Sequence, residues 1–275
     1  MTIGETFRAL HRPGTPFILA NAWDIGSAKV LTALGAEAIG TTSSGHAFTL
    51  GRGDMGKVTR DEALAHAQDI VAATHLPVSG DFENGYGDDP DTVAETIRLA
   101  AEAGLAGCSI EDTEMTAHGA YDFDLAVERI RAAAAAARAL PRDFVLVARA
   151  DGILTRTYDT DEALRRLSAF DAAGADCLYA PLPPSMADLQ RICAATAKPV
   201  NALAAGPFAK VSRAEFARIG VARISLGGAL ARLTQATLIT AARHILGDGD
   251  FSDFAGAASG AEVDALLNAA GAPHA

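Results

Sequence analysis

Cysteine is scarce in this sequence: Cys108, Cys177 and Cys193 are the whole complement, odd in number and without metal-ligand spacing. That excludes a disulfide framework or a thiolate metal centre and suits a reducing cytosol. Lysine is almost as scarce. Lys29, Lys57, Lys198 and Lys210 are the only four, and none stands at the end of an apolar run, which argues against Schiff-base chemistry. Positive charge is short overall, with 23 Lys and Arg against 34 Asp and Glu, a net charge of −11. The balance has the wrong sign for nucleic acid or an anionic membrane surface. Long apolar runs are missing too, since none reaches the roughly 18 residues of a membrane helix. The opening MTIGETFRALHRPG is charged and broken by Pro13, unlike a signal peptide. A cytoplasmic protein with neither nucleic-acid nor membrane partners is the expectation.

What is present is apolar mass and a recurring unit. Hydrophobic residues make up 49% of 275, enough for a large core. Ala33-Leu34-Gly35-Ala36, Ala103-Gly104-Leu105-Ala106, Ala173-Gly174-Ala175-Asp176 and Ile219-Gly220-Val221-Ala222 each close an amphipathic helix on a glycine and run straight into a β-rich stretch. With the apolar runs between them, strands are expected to start near 17, 38, 77, 107, 144, 177, 199 and 222. Helical patterns such as 91–102, 122–140 and 161–172 separate them; the alanines of 132–137 need only helix propensity to explain them. Alternating strands and helices imply parallel pairing through right-handed crossovers. Eight such units predict an α/β fold, a single (β/α)8 TIM-type barrel occupying 1–275 as one domain. From about 231, past Gly247-Asp248-Gly249-Asp250, extra C-terminal helices are expected.

Barrels of this kind build their sites at the carboxyl ends of the strands. Those positions carry Trp23-Asp24, Ser44-Gly45-His46 with Asp54 in the following loop, Asp81-Phe82-Glu83-Asn84, Glu111-Asp112, Arg149-Ala150-Asp151 and Asn201. The opposite ends carry Pro77, Pro141 and Lys198. Asp24, Asp54, Asp81, Glu83 and Glu111 around one mouth would repel unless a cation sat among them, and all-oxygen donors select Mg2+ or Mn2+. Asp81 and Glu83, two apart, would share one side of an extended strand. Arg149 offers a planar fork for a substrate carboxylate, and Ser44 with the N–H groups of Gly45 and His46 offers a small anion nest. Such a mouth would chelate a 2-oxo acid and stabilise an enolate. Plainer roles compete. Arg149 could pair with Asp151, Asp24 and Asp112 could cap helices, and Tyr86 could pack or gate. Cys108 and Cys177 suit the core, and the phosphate-binding reading of Ser225-Leu226-Gly227-Gly228 rests on a lone Gly-Gly.

The pieces Trp23-Asp24, Ser44-Gly45, Leu50-Gly51, Asp54, Asp81-Phe82-Glu83-Asn84-Gly85-Tyr86-Gly87, Ile110-Glu111-Asp112 and Ala148-Arg149-Ala150-Asp151 resemble the isocitrate lyase/phosphoenolpyruvate mutase superfamily over most of the chain. Its strand-3 motif reads Asp-x-Asp-x-Gly-Tyr-Gly, and here the second acid is Glu83. The resemblance implies a Mg2+ enzyme acting on 2-oxo acids, with Asp81 and Glu83 at the metal and Asp54 and Glu111 holding its waters. It places Ser44, Gly45, His46 and Arg149 at the substrate; Trp23 and Asn201 are expected beside them from their strand-end positions, with Arg149, Asp54 and Glu111 expected to serve catalysis. It also implies a homo-oligomer, a dimer or a tetramer exchanging C-terminal helices. One segment departs from the family. Lyases carry a Lys-Lys-Cys-Gly-His type loop after strand 4, and mutases and phosphonate hydrolases keep a Lys and an Asn there. Residues 113–121 read TEMTAHGAY, without Cys or Lys, leaving His118 as the loose candidate acid. The expected reaction is therefore decarboxylation or C–C cleavage of a 2-oxo dicarboxylate such as oxaloacetate. The alternatives are a non-catalytic or weakly active 2-oxo acid-binding protein, a methylisocitrate-type lyase and a phosphonopyruvate-type P–C enzyme.

Overall fold

The computed structural model describes residues 1–117 and 119–269. Along the chain come α1 (Ile3–Leu10), β1 (Phe17–Asn21), α2 (Ile25–Ala33), β2 (Ala38–Gly40), α3 (Ser43–Thr49), α4 (Arg60–Ala72), β3 (Val78–Asp81) and α5 (Pro90–Glu102). Next are β4 (Gly107–Glu111), the two-residue strands β5 (Thr113–Glu114) and β6 (Gly119–Ala120), α6 (Phe123–Ala139), β7 (Val145–Arg149), α7 (Gly152–Thr155) and α8 (Thr160–Ala172). The chain finishes through β8 (Cys177–Tyr179), α9 (Met186–Ala194), β9 (Val200–Leu203), α10 (Arg213–Arg218), β10 (Arg223–Ser225), α11 (Ala229–Gly247) and α12 (Gly260–Ala269). Local chemistry punctuates these elements. Thr59 and Glu62 form a capping box at the start of α4, and Asp89 caps α5 ahead of Pro90. Gly104 and Gly174, at φ 94° and 106°, turn the chain out of α5 and α8 into the next strand.

Eight strands pair in parallel and close in the order β1-β10-β9-β8-β7-β4-β3-β2, with β5 and β6 as a separate antiparallel hairpin. This is the expected (β/α)8 barrel. β1 meets β10 through the pairs Phe17–Arg223, Ile18–Ile224 and Leu19–Ser225. Just past this seam, Asn21 Oδ1 accepts the N–H groups of Leu226 at 2.8 Å and Gly227 at 3.0 Å.

Two apolar layers hold the barrel. Outward-facing Ile39, Val78, Ile110, Leu146 and Leu178 pack under Ile70, Ile97, Ile130 and Phe170 of the helices. Inside, Phe7 of α1 joins Phe17, Leu19, Val145, Val147 and Cys177 at the strand starts. Fully burying one such phenylalanine contributes about 1.5–3 kcal/mol. Arg8 anchors α1 there, pairing with Asp143 at 2.6 Å and Asp176 at 2.8 Å. α1 thus covers the amino ends of the strands, opposite the carboxyl ends where the acids stand.

Among the described residues, no helix is long and apolar enough to cross a membrane. The expected C-terminal helices are present. α12 packs on α2, whereas α11 buries only Ala231 and leaves Leu233, Leu238, Ile239 and Leu246 exposed.

Candidate active site

The mouth is built on backbone turns at the strand ends. β3 stops at Asp81, and Glu83 then takes a left-handed φ of 45°. The two acids therefore do not share a side of one extended strand, as their spacing suggests. The turn brings the Glu83 carboxyl into a cavity of about 290 Å3 that Asp54, Glu111, Arg149 and Asp151 also line. Asp81 lies just beneath, its Oδ1 accepting Arg149 Nη1 at 2.8 Å and its Oδ2 accepting the Ser43 N–H at 3.0 Å.

Arg149 is the only cation lining this cavity among the described residues. Its Nη2 lies 3.0 Å from Glu111, and its fork grips Asp151 through Nη2 at 2.6 Å and Nε at 3.1 Å. Tyr179 supports the guanidinium from 5.2 Å. Burial alone would lower the arginine pKa, but Asp151, Glu111 and Asp81 together hold it well above the ordinary value. Arg149 thus makes the anticipated pair with Asp151 while also lining the mouth.

The acids show a shortage of positive charge. Burial pushes Glu83 up to about 7, against one backbone N–H from Gly56, and Asp81 and Asp54 push it the same way. Burial also raises Glu111 well above the carboxylate range; Arg149 opposes this, while Asp151 and Asp81 add to it. Asp112 is pushed up to about 6 by burial. It sits behind the mouth, accepting Tyr158 Oη at 2.8 Å, Arg166 Nη1 at 3.0 Å and the Asp151 N–H at 2.8 Å.

Several expected residues stand elsewhere. Asp24 is exposed and caps α2, accepting the Ser27 N–H at 2.6 Å, so four of the five expected acids gather at the mouth and not five. The anion nest at Gly45 and His46 does not form. α3 begins at Ser43, so the Gly45 N–H is spent on Thr42 Oγ1 at 3.4 Å and the His46 N–H on Thr42 O at 2.9 Å. Ser44 is buried against Thr42, 3.2 Å between hydroxyls. His46 stacks on His66 at 3.9 Å, and burial lowers its pKa to about 4. Trp23 offers its carbonyl to His66 at 3.0 Å. Asn201 is wholly buried in the barrel, bonded to Ser225 Oγ at 2.9 Å. None of these six, Asp24, Trp23, Ser44, Gly45, His46 and Asn201, lines the 290 Å3 cavity. The Leu226 and Gly227 N–H groups, the core of a phosphate loop, are already taken by Asn21. His118 lies outside the described residues.

Other residues line the mouth in their place: Ser43, Thr113 and Thr155 bring hydroxyls, Met55 and Leu154 apolar surface. Ser43 was legible as part of Thr42-Ser43-Ser44, but only the start of α3 decides which serine faces in. A larger cavity of about 570 Å3 adjoins through Glu83 and is lined by Asn84, Tyr86 and Met115 among others.

Barrel and mouth together define a class: a (β/α)8 protein whose strand ends gather carboxylates and one arginine around a small polar cavity. The phosphoenolpyruvate phosphomutase family model matches residues 7–246, and the chain belongs to that family, within the isocitrate lyase/phosphoenolpyruvate mutase superfamily. A solved Burkholderia cenocepacia structure described as a lyase/mutase is 45% identical, covering 98% of this chain and 96% of its own, with a TM-score of 0.92. Among relatives with a named activity, 2,3-dimethylmalate lyase of Eubacterium barkeri is 33% identical over 70% of this chain and 68% of its own. Oxaloacetate decarboxylase of Ectopseudomonas mendocina is 30% identical over 82% of this chain and 77% of its own.

Proposed function

We propose that this chain is a divalent-cation-dependent carbon–carbon lyase acting on a 2-oxo acid through an enolate, with oxaloacetate decarboxylation as the leading reaction. The observation that carries it is the set Asp54, Asp81, Glu83 and Glu111 converging on Arg149 at one mouth. Among the described residues, no three His, Cys, Asp or Glu side chains are placed to chelate one ion together. Mg2+ does not require that, since it is commonly held by one or two carboxylates and keeps several waters. The donor chemistry fits. All the acids offer oxygen, and the buried Glu83 carboxyl, raised to about 7, lacks a cationic partner of its own. Asp81 and Glu83 would hold Mg2+ or Mn2+, with Asp54 and Glu111 reaching it through water. When bound, such an ion polarises a 2-oxo group and stabilises enolate charge.

The chain's own residues supply the rest. Arg149 binds the substrate carboxylate, and the hydroxyls of Ser43, Thr113 and Thr155 orient it. Met55 and Leu154 keep water from the reacting carbons. In oxaloacetate the C3–C4 bond breaks, its electron pair passes into the enolate, carbon dioxide leaves and solvent returns a proton to C3. This chemistry needs no acid from residues 113–121, where the sequence has neither Cys nor Lys. The same segment favours a second reading, a 2-oxo acid binder without turnover.

One assay separates the two. Full-length protein is given Mn2+ and oxaloacetate, carbon dioxide release is followed, and calorimetry measures binding. Turnover above the metal-only rate, lost with EDTA and reduced at least 100-fold in Asp81→Ala, is expected. Binding without carbon dioxide release selects the binder, and neither binding nor turnover sinks both readings.

A further inference from the structure

The loop that carries Glu83 is held in an unfavourable backbone conformation mainly by groups outside the mouth. Glu83, Gly85 and Tyr86 all have left-handed φ, at 45°, 83° and 63°. Glu83 and Tyr86 bear a Cβ, so such a run persists only where its surroundings over-determine it. The carbonyls show what does so. Glu83 O accepts the Glu111 N–H at 2.9 Å, and Gly85 O accepts Thr96 Oγ1 at 2.8 Å. Two more, Asn84 O and Gly87 O, accept Nη2 and Nη1 of one residue, Arg129 of α6.

Arg129 is the largest fully buried side chain among the described residues. Its partners are the two carbonyls and the face of Tyr121, 4.1 Å from its guanidinium carbon, with no carboxylate among them. A buried guanidinium that spends its fork on backbone is costly unless the geometry it fixes matters. Tyr121 grips the same loop by its side chains. Its hydroxyl donates to Asp88 Oδ1 at 2.5 Å and accepts Asn84 Nδ2 at 2.8 Å, while Asn84 Oδ1 accepts the Tyr86 N–H at 3.0 Å. Neither Arg129 nor Tyr121 lines the mouth cavity or the chamber beside it.

We propose that Arg129, backed by Tyr121, is a positioning residue that locks the 82–88 loop in the left-handed form directing the Glu83 carboxyl into the mouth. Its functional consequence rests on the cation-dependent reading above; the conformational lock does not. Arg129→Lys keeps the charge but cannot donate to both carbonyls as a planar fork. Tyr121→Phe keeps the ring under the guanidinium and removes both hydroxyl bonds.

The test compares full-length wild type, Arg129→Lys and Tyr121→Phe by thermal melting, amide hydrogen exchange over 82–88 and Mn2+ calorimetry with the metal alone. Faster exchange confined to that loop is expected in both variants, with Mn2+ affinity down about 10- to 100-fold, the effect typical of outer-shell partners. A lower melting temperature with wild-type loop exchange and wild-type Mn2+ affinity would make Arg129 a purely structural residue and overturn the proposal. If Arg129→Lys does not fold, Tyr121→Phe decides by the same two readouts. If wild type itself binds no Mn2+, the cation reading fails, and loop exchange alone supports or overturns the lock.

Discussion

His11, at the end of α1, lies buried against the edges of Phe7 and Phe17. Its Nδ1 is 2.8 Å from the Phe7 carbonyl, which can only accept, so the ring proton sits on Nδ1. Burial, then the Arg223 charge, lowers its pKa from 6.5 to about 3. Between those values the unfolded chain binds a proton that the folded chain refuses. Stability therefore falls as pH drops through the window, and His11 contributes nothing to the slope above it. The full loss is on the order of a few kcal/mol. His11→Phe preserves the aromatic packing, so its melting temperature should fall less than that of wild type between pH 7 and pH 4. Parallel losses in the two proteins would show that other groups govern acid unfolding. A second residue tests the boundary of the mouth. Asp24→Ala removes the cap of α2 and should cost about 1 kcal/mol of stability. It should leave oxaloacetate turnover and Mn2+ affinity unchanged, and a loss of either would return Asp24 to the mouth.

At the level of elements, β2, β4, β8 and β10 were legible because each follows a helix closed by glycine and the other four barrel strands because they are apolar runs between those units, and the observed starts lie within one residue of those expected. Long periodic helices such as α6 were equally plain. Short elements were not. β5 and β6 have two residues each, too few for alternation to show, and α3 is hidden because Thr-Thr-Ser-Ser-Gly-His carries turn composition. A helix start changes which side chain and which N–H faces inward, so Ser43 and not Ser44 lines the mouth. The acids at 81, 83 and 111 were found from their strand-end positions. How Glu83 reaches the mouth was not, because a left-handed φ at a glutamate has no local sequence signal and depends on Arg129, 46 positions away in the chain.

On the scale of the whole molecule, α11 and the turn after it present Leu233, Leu238, Ile239, Leu246, Phe251 and Phe254 to solvent. That many exposed large apolar side chains on one helix and its following turn are what a surface covered by association would leave on a single chain. Sedimentation is expected to give a dimer or tetramer, and Leu238→Glu combined with Phe254→Asp should shift it toward monomer. A monomeric wild type would remove the case for helix exchange. The seam between β1 and β10 has a consequence in time. Asn21 closes the barrel by accepting N–H groups from Leu226 and Gly227, the first partner meeting nearly the last. During synthesis at about 5–20 residues per second, β1 waits roughly 10–40 s with one edge unpaired before that partner is made. An open edge is a template for pairing with another chain. A nascent chain stalled before residue 223 would therefore be caught most readily at Phe17–Asn21, and a chaperone shielding this molecule would have its longest task at the first strand.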